Sequence, residues 1–152
     1  MAPLRLHTSD LRSHAGRKLG SSSWHTVSQE QVDRFAAATG DYQWIHVDPE
    51  RARRTPFRTT IAHGYLTLSL WPALLDQVLV VEGCSMVLNY GLNRVRFPSA
   101  VPVGSRVRLH VDLAEVEENA DASLQTTFGV VFELEGSEKP CCVAESLFRY
   151  YP

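Results

Sequence analysis

The chain has 152 residues, of which 44% are hydrophobic and 21% charged. These values are typical of one folded domain spanning residues 1–152, so disorder is excluded for most of the length. The formal net charge of −2 argues against a nucleic-acid-binding protein that relies on an overall positive field.

Cysteine usage and apolar stretches predict a cytoplasmic protein. Cys84, Cys141 and Cys142 show neither a disulfide framework nor the spacing of a zinc site, so we expect three reduced thiols and no metal. The amino-terminal residues contain no apolar segment of a signal peptide. The longest apolar stretch, residues 61–81, is interrupted by polar residues, glycine and proline, which predicts no membrane insertion.

The first 40 residues contain one strong helix signal. Residues 1–14 are expected to pack loosely, with a short capped helix near their end, and residues 17–27 are predicted to form a strand. Ser28 followed by Gln31 is a capping box, and the apolar stripe behind it predicts a helix over residues 29–38.

A loop is predicted to follow this helix. Gly40 favours the end of the helix, and residues 41–47 are expected to be non-helical. Asp48 and Pro49 then have the residue types of an N-cap and a first helical position, so a short helix is predicted up to Arg53.

The second half of the sequence predicts a sheet around a buried helix. Residues 60–80 are apolar on nearly every side, which is typical of an enclosed helix, and Pro72 should kink or break it. Alternating apolar residues over 107–113, 124–134 and 142–150 predict strands, and a further strand over 85–97 should bend near Gly91. The predicted class is α+β, with a long antiparallel sheet wrapped around one helix.

Asp41 and His46 are the first candidate catalytic residues. Both lie in the predicted loop, and a carboxylate and an imidazole that converge on one water supply a base and an acid. The competing interpretation is that Asp41 caps a turn and His46 packs in the core.

His63 and Gly64 form a second candidate feature, at the start of the buried helix. Free N–H groups at a helix N-terminus carry positive partial charge, and a carbonyl oxygen can approach a glycine N–H closely, as an oxyanion hole requires. A glycine tolerated only for close packing would give the same pattern.

Three segments in this order resemble the hydratase motif of MaoC-like, (R)-specific enoyl-CoA hydratases and dehydratases. They are residues 39–46 (TGDYQWIH), residues 48–52 (DPERA) and residues 61–64 (IAHG). The family pattern has a G-D-x-N-P-apolar-H core and then an apolar-x-H-G segment that opens the central helix. Residues 89–104 are similar to the strand and turn that follow that helix, so the resemblance covers about residues 15–151.

The resemblance implies a single hot-dog domain that hydrates a trans-2-enoyl-CoA reversibly to a (3R)-3-hydroxyacyl-CoA. Asp41 and His46 would activate the water, and the Gly64 N–H, beside His63, would bind the thioester oxygen. Coenzyme A would enter as part of the substrate, with no separate cofactor. Two functions remain as alternatives: a hot-dog acyl-CoA thioesterase, and a (3R)-hydroxyacyl-ACP dehydratase subunit that is catalytic or only binds the acyl group.

The chain departs from the family pattern at two positions. Gln43 and Trp44 replace the usual Asn-Pro, and Pro72 aligns with a serine that some members use. From their places in the motif, Trp44 and Tyr65 are expected to border the acyl tunnel. Arg94 and Arg96 are weaker candidates for binding coenzyme A phosphates. A single hot-dog unit leaves one sheet edge exposed, so a homodimer is also expected.

Overall fold

A six-stranded antiparallel sheet forms the largest part of the molecule in the computed structural model, which describes residues 2–152. The strands are β1 (Leu4–His7), β2 (Arg17–Ser21), β3 (His25–Thr26), β4 (Leu79–Glu82), β5 (Met86–Arg96), β6 (Arg106–Glu118), β7 (Leu124–Leu134) and β8 (Cys142–Tyr151). A 3₁₀ helix (Thr8–His14) is followed by helices α1 (Gln29–Thr39), α2 (Trp44–Val47), α3 (Pro49–Ala52), α4 (Gly64–Ser69) and α5 (Trp71–Leu75). The sheet order is β2-β6-β7-β8-β5, with β3 also paired to β6.

One face of the sheet builds the core, as the alternation in sequence predicts. Side chains buried along β6 alternate with half-buried ones, and β7 and β8 repeat this pattern. Trp71 of α5 lies against this face, with its ring centroid 5.5 Å from those of Phe128 and Phe148. The sheet therefore wraps around the α4–α5 segment, and the predicted α+β arrangement is confirmed.

The central helix is shorter than predicted and broken. It begins at Gly64 rather than near residue 60, and α4 ends at Ser69, with Leu70 as the single residue between it and α5. Pro72 sits in the first turn of α5, where it lacks the N–H that would continue the α4 hydrogen bonds, so the predicted break is confirmed. Residues 79 and 80, the end of the predicted helix, instead belong to β4, which pairs in parallel with β1.

The prediction that residues 1–14 pack loosely is wrong for the described part of that segment; Met1 lies outside the described residues. β1 pairs with β4 from Leu4 opposite Leu79 onwards. Leu6 and Leu11 are buried in the main hydrophobic core. The pairing partner lies about 75 residues away in sequence, so local patterns in the first 14 residues do not show it.

The sequence near α1 behaves largely as predicted. Ser28 accepts a hydrogen bond from the Gln31 N–H at the start of α1, and Gly40 ends the helix in the left-handed conformation with φ of 78°. The single strand predicted over residues 17–27 is instead two short strands, β2 and β3, both paired with β6.

Strand β5 differs from the other long strands because its apolar side chains remain exposed. Five large ones are 40–53% exposed: Met86, Val87, Leu88, Tyr90 and Leu92. The strand pairs only with β8, so it is an edge of the sheet, and its register with β8 shifts between Asn89 and Gly91, where a bend is predicted. No helix among residues 2–152 is long and apolar enough to cross a membrane.

Candidate active site

Asp41, His46 and His63 come together at the ends of three helices. Asp41 follows the Gly40 cap of α1, His46 lies on α2, and His63 is the N-cap of α4. One carboxylate oxygen of Asp41 and one ring nitrogen of each histidine lie within 4.8 Å of one another. The structure thus brings together the two residues predicted as catalytic and adds His63 to them.

His46 is buried and held in one orientation. The non-helical loop predicted over residues 41–47 is wrong in its second half, because α2 is a single helical turn. His46 Nδ1 lies 2.6 Å from the carbonyl oxygen of Ile61, to which it donates its proton. The other ring nitrogen, Nε2, then carries a lone pair and can accept a proton.

His63 supports the other two residues of the cluster. Its Nε2 lies 2.9 Å from the backbone carbonyl of Asp41, and its ring stacks on that of His46 with centroids 3.8 Å apart. Its Nδ1 is buried and has no hydrogen-bond partner within the described residues. His63 is therefore placed to hold the Asp41 backbone, whereas the sequence suggested a contact with substrate.

The carboxylate of Asp41 faces solvent on one side. Its side chain is 53% exposed, and Oδ1 accepts a hydrogen bond from the Gln43 N–H at 3.3 Å. Oδ2 lies 4.0 Å from His63 Nε2. Asp41 thus has access to bulk water for proton exchange while its backbone is fixed.

A cavity of about 250 Å³ adjoins His46 and Gly64. Its other lining residues are mostly apolar or small: Ile61, Ala62, Thr67, Phe97, Ser99, Ala100, Val101 and Cys141. A Cβ built on Gly64 would lie 3.0 Å from the Phe97 ring, so only glycine fits this position without displacing that ring. An apolar cavity next to a lone-pair nitrogen and a helix N-terminus suits an acyl chain with a polar head.

The other predicted site residues lie outside the lining of this cavity. Trp44 is half-buried and stacks under the guanidinium group of Arg51, 4.3 Å from its ring centroid. Tyr65 is 70% exposed and touches the site only through an edge contact with Phe97. Neither Trp44 nor Tyr65 therefore forms part of the cavity wall.

Arg94 and Arg96 are on the edge strand β5. Arg94 is exposed and approaches Glu145 to 3.8 Å, and Arg96 donates to the carbonyl of Val95. Arg96 immediately precedes Phe97, so it lies near one wall of the cavity. Coenzyme A binding by these two arginines stays a prediction.

Three atoms of the cluster are not used in hydrogen bonds among the described residues. His46 Nδ1 and His63 Nε2 both donate to backbone carbonyls and Asp41 Oδ1 accepts from Gln43, which leaves His46 Nε2, the buried His63 Nδ1 and Asp41 Oδ2. The two rings stack with their centroids 3.8 Å apart and their planes 25° from parallel, so their lone pairs lie in two stacked planes. This arrangement suits a bound water better than a tetrahedral metal site.

The free energy of unfolding is expected to fall as the pH is lowered through about 6.5. Burial lowers the pKa of His46, the hydrogen bond to Ile61 opposes this, and His63 adds to the lowering. The unfolded chain therefore takes up a proton at His46 before the folded protein does, so stability is highest above the ordinary histidine pKa.

Urea unfolding between pH 5 and 8 measures this dependence. The His46→Gln variant should show a shallower loss of stability at low pH than the wild type. His14→Gln, which changes a half-buried histidine of the 3₁₀ helix outside the cluster, should keep the wild-type slope. Equal slopes for all three proteins would contradict the prediction.

Known proteins resemble this chain in sequence and fold. The family described as MaoC like domain matches residues 10–132. The 3-hydroxyacyl-thioester dehydratase Z of Mycobacterium tuberculosis (strain ATCC 25618 / H37Rv) is 56% identical over 141 residues, 93% of each chain. The (R)-specific enoyl-CoA hydratase of Aeromonas caviae is 35% identical over 97 residues, which are 64% of this chain and 69% of that one.

A solved structure confirms the hot-dog architecture. The (R)-hydratase from A. caviae involved in PHA biosynthesis superposes with a TM-score of 0.72 and 25% sequence identity. The superposition covers 90% of this chain and 98% of the other. The residues matched to the family include the whole cluster and Gly64.

Proposed function

This chain belongs to the MaoC-like domain family, and we propose that it hydrates a trans-2-enoyl-CoA reversibly to a (3R)-3-hydroxyacyl-CoA. The observation that carries the proposal is that His46, whose Nε2 is free to accept a proton, lines an apolar cavity and has a ring nitrogen within 4.8 Å of an Asp41 carboxylate oxygen. The names of two relatives, a hydroxyacyl-thioester dehydratase and an enoyl-CoA hydratase, support the same reaction read in opposite directions.

The Gly64 N–H is proposed to polarise the substrate. The acyl chain would occupy the cavity, and the thioester oxygen would accept a hydrogen bond from the first N–H of α4. His63 caps α4 without a side-chain hydrogen bond, so no side chain of the cap residue competes for this donor. Electron density drawn toward the oxygen opens C3 to attack by water.

Asp41 and His46 are proposed to share the attacking water. His46 Nε2 takes one proton as the water oxygen bonds to C3, because burial keeps this ring neutral near pH 7. Asp41 delivers a proton to C2. The cycle closes when His46 releases the proton that it took from water and Asp41 regains one, by exchange with the solvent that the Asp41 side chain faces. Water, two side chains and one backbone N–H complete the addition, so we propose no metal or redox cofactor.

The proposal is tested by incubating the pure protein with crotonyl-CoA and with a longer enoyl-CoA. Loss of the enoyl absorbance with formation of the (3R) product supports hydration. A thiol reagent run in parallel detects free coenzyme A, and its release without hydration would show a thioesterase instead.

A (3R)-hydroxyacyl-ACP dehydratase is the second candidate. The name of the mycobacterial relative specifies a hydroxyacyl thioester without its carrier, which favours keeping this alternative. The same assay with the acyl group on acyl-carrier protein separates the two. A kcat/KM higher for the carrier-protein substrate than for the coenzyme A substrate would select the second candidate.

We also propose that two copies associate through β5. This edge strand has unpaired backbone groups and five exposed apolar side chains, a combination that proteins usually cover. Light scattering at micromolar concentration should give twice the mass of the chain. Leu88→Lys should give a monomer, because a charge on the covered edge opposes pairing, and a monomeric wild type would contradict the proposal.

A further inference from the structure

The side chain of Gln29, the first residue of α1, joins three separate parts of the molecule. Its Nε2 donates to the backbone carbonyl of His46 and to Asp33 Oδ1, both at 2.8 Å. Its Oε1 accepts a hydrogen bond from the hydroxyl of Thr60 at 2.5 Å. Nothing in the capping pattern of α1 predicts these contacts, since residues at this position commonly face solvent.

These partners determine the orientation of the Gln29 amide. The His46 carbonyl and the Asp33 carboxylate only accept hydrogen bonds, so the NH₂ group must face them. The amide oxygen then faces Thr60, whose side chain is 1% exposed. Thr60 thus obtains the partner that a buried hydroxyl needs, and the amide cannot rotate without losing bonds on both sides.

Gln29 links the two segments that are joined by the hydrogen bond between the His46 ring and the Ile61 carbonyl. Thr60 directly precedes Ile61, whose carbonyl accepts the His46 Nδ1 proton. One end of the Gln29 amide therefore holds the His46 backbone, and the other end holds the segment that carries the acceptor. Ile61 N–H also donates to the Ile45 carbonyl at 3.0 Å, so the same two segments are joined once more beside the ring.

We propose that Gln29, held by Thr60, is a positioning residue for His46. It fixes the separation of the imidazole from the Ile61 carbonyl, and thereby keeps the proton on Nδ1 and the lone pair on Nε2. The consequence for turnover depends on the proposed hydration reaction, whereas the consequence for the ring itself does not. A shift of about 1 Å in a reacting group can cost about 10²-fold in rate.

The experiment compares four single variants and the Gln29→Leu/Thr60→Val double variant. Gln29→Leu removes all three hydrogen bonds of the Gln29 amide and keeps a side chain of similar size. Thr60→Val removes only the bond between Thr60 and Gln29 and keeps nearly the same side-chain shape. Thr60→Ser keeps the hydroxyl that donates this bond. The matched control is Gln77→Leu, because the Gln77 side chain accepts hydrogen bonds from Ser23 instead. The ring nitrogens of His46 are followed by ¹⁵N NMR in the resting protein, and kcat and KM are measured with crotonyl-CoA.

The expected result is a change in the His46 ring together with a fall in kcat. Gln29→Leu and Thr60→Val should move the ¹⁵N shifts of His46 toward a mixture of tautomers. They should also lower kcat by about 10- to 100-fold, with KM changed less than about twofold. Thr60→Ser and Gln77→Leu should both have the ¹⁵N shifts and the kcat of the wild type. The Gln29→Leu/Thr60→Val double variant should have a kcat no lower than that of the slower single variant, because both changes remove the same Gln29–Thr60 hydrogen bond.

Folded Gln29→Leu protein with wild-type ¹⁵N shifts and wild-type kcat would overturn the proposal. If Gln29→Leu fails to fold, the test rests on Thr60→Val. Wild-type ¹⁵N shifts and wild-type kcat in the folded Thr60→Val protein would then overturn the proposal. If the wild-type protein has no hydratase activity, the proposed function is wrong, but the proposal for Gln29 is not affected. The ¹⁵N NMR comparison would still test the role of Gln29.

Discussion

Replacing His46 with glutamine is expected to lower the turnover number for enoyl-CoA hydration by about 10²–10⁴-fold. Glutamine keeps a polar group near the Ile61 carbonyl but cannot accept a proton from water at neutral pH. Asp41→Asn, which keeps the shape of the side chain, should have an effect in the same range. Steady-state kinetics with crotonyl-CoA measure both.

The two replacements should not be additive. If Asp41 and His46 hold one water between them, removing either disables the pair, and the double variant should be about as slow as the slower single one. His110→Gln serves as the control, since His110 pairs with Ser21 and Glu133 away from the cluster. Near-wild-type turnover in folded Asp41→Asn and His46→Gln proteins would show that these residues are structural.

Gly64→Pro should lower kcat by about 10²–10³-fold, or about 3–4 kcal/mol of transition-state stabilisation. Proline deletes the N–H proposed to bind the thioester oxygen. The backbone tolerates it, because Gly64 is the first residue of α4, where proline is favoured. His63, with ψ of 137°, already has the extended conformation that a residue before proline adopts.

Gly64→Ala is the control that isolates the donor. Alanine retains the N–H but adds the same Cβ, which meets the Phe97 ring at 3.0 Å. The two variants therefore share the Cβ contact, and the difference in kcat between them reports the lost N–H together with the two further ring carbons of proline. Equal kcat for the alanine and proline variants, with thermal melts showing both folded, would rule out Gly64 as the oxyanion donor.

The sheet and the first long helix could be predicted from the sequence because each follows a local period. Strands β6, β7 and β8 alternate buried and partly exposed residues, and Ser28 and Gly40 mark the ends of α1. Helix α2 could not be predicted, since four residues are too few to show a period. It is stabilised by tertiary contacts such as the hydrogen bond from Ile61 N–H to the Ile45 carbonyl.

The sequence predicts which residues form the candidate site but not how their side chains contact one another. Asp41 and His46 could be found because a carboxylate and an imidazole follow a helix end. The stacking of His63 on His46 depends on two segments that meet only in the folded chain. Trp44 and Tyr65 lie outside the cavity lining, because adjacency in sequence to His46 and Gly64 does not place a helical side chain on the same face.

The parallel pairing of β1 with β4 affects the newly made chain. Leu4 pairs with Leu79, a separation of 75 residues, so at about 5–20 residues per second β4 is synthesised roughly 4–15 s after β1. Leu6 and Leu11 leave the ribosome long before the surfaces that bury them exist. Charged and polar residues lie next to both leucines in sequence. These side chains keep residues 4–14 hydrated until β4 has been synthesised.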